Sequence, residues 1–319
     1  MPRILLVKTS SLGDVVHNLP VVGDIRGHAP HSEIDWVAEE SFAAIPRMHP
    51  AVRRVIPVAL RRWRRDGLRA KTRVEICAFL EALREREYDA IIDTQGLLKS
   101  AVVARAARGH CYGLDWCSSR EPLRFLYDRT FSVPWGQHAV ARNRSLAAQV
   151  LGYRVSPEVN YGISAQPRDF SWLPCRQYVL LLHATSADSK LWPEGCWIEL
   201  CNYMFLNGIY CILPWGNAVE RERGGRLAER VNGGAVIPPA LTIDDAAALF
   251  AGAQGVVGVD TGLTHLAAAL GVPTLGIYNA TNPAATGIYG APQAINLGGI
   301  GAPPAVADVI DAWKKLTGR

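Results

Sequence analysis

The sequence predicts two doubly wound α/β domains. Short, wholly apolar runs suit buried parallel strands, and helix-length amphipathic patterns lie between them. That alternation restarts after residue 176 of a 319-residue chain, a length suited to two domains of about 150 residues.

The first domain opens with ILLVK at residues 4–8, then a turn and an apolar-periodic segment after Asp14. Further strands are expected at 34–37, 54–57, 90–93 and near 111–114, with helices around 74–86, 100–108 and 139–151. The stretch GISAQPRDFSWLPCR at 162–176 has two prolines and no clean period, so it marks a linker. The domains are accordingly set at 1–162 and 177–319, with the linker at 163–176. In the second domain strands are expected at 178–182, 209–213, 235–237, 255–259 and 274–278. Its helices fall at 193–205, 218–231, 243–251, 263–270 and 305–317. Folds of this kind bind ligands at the carboxyl ends of their strands, and two such domains place a cleft between those ends. A dinucleotide dehydrogenase is the competing architecture. TSSLGD and HATSADSK follow the two first strands, and neither is a G-x-G-x-x-G turn.

Composition excludes fibrous and low-complexity classes: 49% of residues are hydrophobic and 20% charged. No apolar stretch reaches the roughly 18 residues that span a bilayer, and MPRILLVKTSSLGD reads as a strand and turn rather than a leader. A cytoplasmic location is therefore expected. Cysteines 77, 111, 117, 175, 196, 201 and 211 form no C-x-x-C or zinc spacing and suit reduced thiols. Charge is uneven. Residues 1–155 carry 24 Lys/Arg against 16 Asp/Glu, a net of +8, whereas the rest is −3. Such a half suits an anionic partner, whether acidic substrate, membrane surface or nucleic acid; a solvated basic face is the plainer reading.

Chemistry concentrates in the turns after strands. Asp260-Thr261-Gly262-Leu263-Thr264-His265 joins a buried strand to a small-residue helix, whose free N–H groups and dipole suit a diphosphate. Gly262 permits close approach, Thr261 and Thr264 offer hydroxyls, His265 a donor, and Asp260 an acceptor for sugar hydroxyls. The plainer reading makes Asp260 or Thr261 a cap. After the second domain's first strand, Thr185, Ser186 and Lys190 offer two hydroxyls and a point charge to a pyrophosphate; a solvated loop is the alternative. In LPWGNAVE, Glu220 suits the paired hydroxyls of a ribose, with Glu222 its rival and a first-turn helix glutamate the plainer reading.

In the first domain, Asp14 at a strand-to-helix turn suits a general base for an attacking hydroxyl, or else caps the helix. Thr9, Ser10 and Ser11 beside it suit an acidic or polyhydroxy ligand. The densest basic cluster is Leu60-Arg61-Arg62-Trp63-Arg64-Arg65, with Arg120 and Arg124 as additions to its face. It suits carboxylates, phosphates or a membrane interface with Trp63 resting on it. No nucleic-acid module surrounds it. No D-x-D cluster holds a divalent ion, so no metal or cofactor is expected, and Lys190 with the helix start at 261–265 would stabilise the leaving group.

These residues carry a family resemblance. KTSSLGDVVHNLP (8–20), IDWVAEE (34–40), VIPVALRRWRR (55–65), DTQGLLKSA (93–101) and REP (120–122) resemble the ADP-heptose:lipopolysaccharide heptosyltransferases. HATSADSKLWPEGCW (183–197), LPWG (213–216) and VDTGLTHLAAAL (259–270) continue the match, and KTSS with RRWRR is closer to type I than to type II. The resemblance implies a GT-B fold with the active site between two Rossmann-like domains. It implies inverting transfer of L-glycero-D-manno-heptose from ADP-heptose to a Kdo residue of Kdo2-lipid A at the cytoplasmic face of the inner membrane. It further implies Asp14 as base, with Lys190, Asp260, Thr261, Gly262 and His265 on the heptose and diphosphate and Glu220 on the nucleoside. Departures from the family pattern at 217–223 leave Glu220 and Glu222 in competition. The anionic acceptor accords with Ser10, Ser11, Arg61, Arg62, Arg64 and Arg120 as its contacts and with an anionic membrane surface as partner. Another GT-B nucleotide-sugar transferase and a non-catalytic nucleotide-sugar-binding protein are the alternatives.

Overall fold

The computed structural model describes residues 1–67, 69–173 and 177–318; Cys175 and the end of the expected linker, 174–176, lie outside them. The chain divides into two compact units, Met1–Ile163 and Ser164–Arg319.

The first unit runs β1 (Arg3–Val7), α1 (Leu12–Val16), α2 (Leu19–His28), β2 (Glu33–Glu39), α3 (Ala44–Arg47), β3 (Val52–Val58) and α4 (Leu60–Asp66). It continues α5 (Ala70–Arg84), β4 (Glu87–Asp93), α6 (Leu98–Ala106), β5 (Arg108–Leu114), β6 (Arg129–Phe131) and α7 (Ala139–Leu151). Its six strands are parallel in the order β3-β2-β1-β4-β5-β6.

The second unit runs β7 (Tyr178–Leu182), α8 (Glu194–Leu206), β8 (Tyr210–Ile212), α9 (Ala218–Arg230), β9 (Ala235–Val236) and α10 (Ile243–Gly252). It ends β10 (Gly255–Val259), α11 (Gly262–Ala269), β11 (Thr274–Tyr278), α12 (Pro283–Thr286), β12 (Ala294–Gly298) and α13 (Val306–Thr317). The order β12-β11-β10-β7-β8-β9 is the first unit's order read from the opposite edge. Both units are therefore Rossmann-like, with strand order reversing between β1 and β4 and between β7 and β10.

Burial accounts for the central strands. Every residue of β7, β10 and β11 is buried, because helices cover both faces of a parallel sheet. Two edge strands, β6 and β12, were not among those expected from the sequence. β6 has three residues, and β12 carries no continuous apolar run and alternates partly buried with exposed positions. Helix ends follow local chemistry. In α10, Thr242 accepts from the Asp245 N–H at 3.1 Å while Asp245 accepts from the Thr242 N–H at 2.9 Å, a reciprocal cap. α7 stops at Gly152, whose φ of 73° is left-handed and whose N–H meets the Ala148 carbonyl.

Each unit has its own core. In the first, Leu5, Val7 and Ile91 of the sheet pack with Phe79 and Leu83 of α5. In the second, Trp192 and Trp197 meet edge to face at 5.0 Å beside Trp313 of α13. Gly258 lets α11 sit close on β10, since a Cβ there would run into the Thr264 hydroxyl.

One buried ion pair ties α7 to α2. Arg144 grips Asp24 through two bonds of 2.7 Å and also reaches the Ser156 and Glu158 carbonyls, with both side chains under one-tenth exposed. Removing one partner strands a buried charge. Asp24→Ala should therefore lower the unfolding free energy by about 3 kcal/mol, read from urea denaturation. A loss within experimental error would mean that water reaches the pair freely.

Candidate active site

In the second unit the loops after β7 and β10 are stitched together at the order reversal. The Thr185 hydroxyl donates to the Asp260 carbonyl at 3.0 Å, and Lys190 donates to Asp260 Oδ2 at 2.7 Å. Thr281, in the loop after β11, donates to the same oxygen at 2.7 Å, while His265 Nε2 lies 3.4 Å from Oδ1. Burial alone would raise the Asp260 pKa. Bonds from His265, Lys190 and Thr281 reverse that and hold it well below the usual carboxylate range. Asp260 is thus an ionised, nearly buried acceptor, and Lys190 is already on it rather than extended into solvent.

Thr261 is the N-cap of α11 and its side chain makes no cap bond; Gly262 is the first helical residue, and both are partly exposed at the helix start. The Thr264 hydroxyl corrects the expectation for it. It donates at 2.7 Å to the Val259 carbonyl, facing the sheet and not a ligand. Ser186 lies in the loop two residues before the short 3-10 turn Asp188–Lys190.

Glu220 sits in the first turn of α9 and folds back: Oε2 accepts from the Gly216 N–H at 2.7 Å and Oε1 from the Asn217 side chain at 2.8 Å. It stays near the carboxyl end of β8, whereas Glu222 lies roughly 200° further round the helix, exposed and near Arg226.

The first unit is stitched at the equivalent place. Lys8 Nζ donates to the Thr94 carbonyl at 2.9 Å and to Asn143 at 3.4 Å. Burial pulls its pKa down against the attraction of Asp14 and Asp93. Gln95 Oε1 accepts from the Thr9 N–H at 2.7 Å, and Lys99 donates to Ser10 Oγ at 2.6 Å. Asp14 is the third residue of α1, with Oδ2 accepting from both the Ser11 N–H, at 2.7 Å, and the Ser11 hydroxyl, at 2.8 Å. Both bonds fall on one oxygen and leave the Oδ1 lone pairs out of the cap. Capping and proton acceptance are therefore compatible in this carboxylate.

The basic cluster proves to be α4, and its members differ. Arg61 and Arg64 are exposed, and Arg120 is exposed in the loop after β5. Arg62 is engaged by Glu40, at 2.9 and 3.0 Å, and by Glu75, at 2.6 Å. Trp63 corrects the membrane-resting expectation: its Nε1 donates to Glu75 at 2.9 Å and its ring packs edge-on against Phe79 in the core.

Three groups escaped sequence reasoning. Thr281 bonds Asp260, and Asn279 pins the Lys190 loop by donating to the Leu191 carbonyl at 2.7 Å. Glu39, buried at the end of β2, accepts from the Arg61 N–H at 3.1 Å, and burial raises its pKa. Each lies at or just past the end of a strand, β11 for Thr281 and Asn279 and β2 for Glu39, but no local pattern names its partner. Among the described residues no three His, Cys, Asp or Glu side chains converge as a metal site.

Residues 76–309 match the family model described as glycosyltransferase family 9 (heptosyltransferase). This chain belongs to that family. It is 49% identical over 290 residues to lipopolysaccharide heptosyltransferase 1 of Pseudomonas aeruginosa, covering 89% of this chain and 81% of that protein. Among solved structures it is similar to E. coli heptosyltransferase WaaC with ADP, at a TM-score of 0.89 and 41% identity, covering 98% of this chain and 99% of that one. The form with ADP-2-deoxy-2-fluoro heptose gives 0.85 at the same identity and coverage. The fold is of the GT-B type, and the chain is a glycosyltransferase.

His183, fully buried just past β7, gives a pH test of this region. Burial, reinforced by Arg223, lowers its pKa to about 4 from 6.5. The unfolded chain then takes up the proton first as pH falls. The stability from the neutral ring is full above 6.5 and lost as pH drops toward 4. Between those limits the parent should lose about 3 kcal/mol more than His183→Leu in urea unfolding. Equal losses in both would show that His183 takes up a proton in the folded state.

Proposed function

We propose that this chain transfers L-glycero-D-manno-heptose, with inversion, from ADP-heptose to a Kdo residue of Kdo2-lipid A in building the lipopolysaccharide inner core. The observation that carries this reading is the Asp260 cluster. An ionised carboxylate shared by Lys190, Thr281 and His265 stands at the order reversal of a heptosyltransferase-family domain. Similarity to an enzyme solved with ADP and with a fluorinated ADP-heptose supports the choice of donor.

In this reading Asp260 accepts hydrogen bonds from heptose hydroxyls. The N–H groups opening α11 at Thr261 and Gly262, with His265, meet the diphosphate. Thr185 and Ser186 add hydroxyl donors, and Glu220 takes the ribose. Asp14 removes the proton from the acceptor hydroxyl as its oxygen attacks the anomeric carbon. The bond to the β-phosphate oxygen breaks, and Lys190 offsets the charge that develops on ADP. The sugar passes through an oxocarbenium-like state.

Ser10, Ser11, Arg61, Arg64 and Arg120 face the acceptor's carboxylates and phosphates, and Arg62 adds to the field while holding α4 in place. No helix among the described residues is long and apolar enough to cross a membrane. We place the enzyme peripherally at the cytoplasmic face of the inner membrane, where its acceptor resides.

Asp14→Ala should cut acceptor-dependent ADP release by about a thousandfold while calorimetric affinity for ADP-heptose stays at the parent value. Parent-like turnover in that variant would remove Asp14 from the mechanism. Arg61→Gln with Arg64→Gln should raise the KM for Kdo2-lipid A by about tenfold and leave the donor KM alone. An unmoved acceptor KM would reduce both arginines to a solvated face.

A further inference from the structure

With Trp63 partly buried against the core and its Nε1 held by Glu75, α4 offers a bilayer charge more than an aromatic ring. The exposed rings of the first unit lie elsewhere. Phe125 is 90% exposed, Trp116 65%, and Trp135 50%, while Leu98 and Val102 exceed half. Such residues are unremarkable when scattered, but contiguity gives them meaning.

Contacts within the first unit link the segments that carry them. Leu98 and Val102 are four residues apart on the outward face of α6. The short 3-10 turn Arg124–Leu126, which carries Phe125, packs against that helix. The Leu98 N–H donates to Glu121 at 2.5 Å, fixing the loop after β5 to the start of α6. Trp135 Nε1 donates to the Cys117 carbonyl at 2.7 Å, next to Trp116. Arg142 lies 4.2 Å over the Trp135 ring while donating to the Ser118 carbonyl, so this ring is held outward by its own bonds.

We propose that this surface, with Phe125 and the Leu98–Val102 face of α6 at its centre, inserts into the headgroup region of an anionic bilayer. The inference rests on the lipid-linked acceptor reading above and locates the membrane contact that reading requires. Charge decides the partner. Residues 98–129 hold six Lys/Arg against three Asp/Glu, and the exposed Arg105 and Arg124 flank the apolar side chains. Apolar residues rimmed by excess cations are what an anionic lipid surface attracts, first by field and then by burial of rings and methyls. Aromatic rings at such a rim suit the boundary between headgroup and acyl chain. A purely protein partner would use the same apolar area without needing the cationic rim.

The test uses the full chain and vesicles of phosphatidylethanolamine with or without phosphatidylglycerol, in the absence of acceptor. The parent should co-sediment with the anionic vesicles and far less with the zwitterionic ones. Leu98→Ser/Val102→Ser/Phe125→Ser should sediment roughly tenfold less at matched lipid. All three side chains are exposed, and equal thermal melts would show the fold intact. Parent-like sedimentation of the triple variant overturns the proposal, as does a parent that ignores anionic vesicles. So does a parent dimer that the variant converts to monomer, which would make the surface a contact between copies. Turnover of ADP-heptose with a de-acylated, soluble Kdo acceptor is measured in parallel and should be equal in parent and variant. No turnover in either overturns the functional reading, whereas unequal vesicle binding still reports on the surface.

Discussion

In each domain two neighbouring strands send their following loops toward opposite faces of the sheet, and the chemistry of the molecule hangs from that divergence. Between β1 and β4, and again between β7 and β10, the strand order reverses. A crevice opens there without any side chain making it. What the side chains do is close its floor. Lys8 bonds the loop after β4, Gln95 and Lys99 bond the loop after β1, and Thr185 and Lys190 bond the turn after β10. The repeated topology thus yields two similar crevices with different chemical contents: hydroxyls, two lysines and a partly exposed carboxylate in the first, a buried carboxylate shared by Lys190, Thr281 and His265 in the second.

The two carboxylates show how environment separates roles. Asp260 is nearly buried and surrounded by donors, so its charge is locked in and its proton affinity is suppressed. Such a group accepts hydrogen bonds well and protons poorly. Asp14 caps a short helix through one oxygen and keeps the other clear of that cap. Position in the fold, more than residue type, sorts an anchor from a candidate proton acceptor.

Much of this was legible in the sequence, for physical reasons. β7 and β10 are continuous apolar runs because helices cover both faces, and any reading of hydrophobicity finds them. Asp14, Lys190 and Asp260 stood out because each follows such a strand. β6 and β12 did not, because edge strands are short or half wet. Thr281 and Asn279 reach the Asp260 cluster from the loop after β11, and local pattern holds no record of that tertiary approach. Trp63 was misread for a similar reason. Its partners Glu75 and Phe79 lie on the next helix, twelve and sixteen residues on, and only packing brings them under it.

The fastening of α4 has a further consequence. Seven residues are too few for a helix to persist alone in water. Arg62 clamped between Glu40 and Glu75, with Trp63 packed against the core, gives this one a fixed backbone. Arg61 and Arg64 project from that frame, so an incoming anion has only side-chain rotamers to freeze and no chain to order. Ordering a backbone residue costs about 1–2 kcal/mol, so a loop in the same place would surrender most of its attraction to conformational entropy. The arginine held by two carboxylates is what fixes the frame from which its neighbours' charges project.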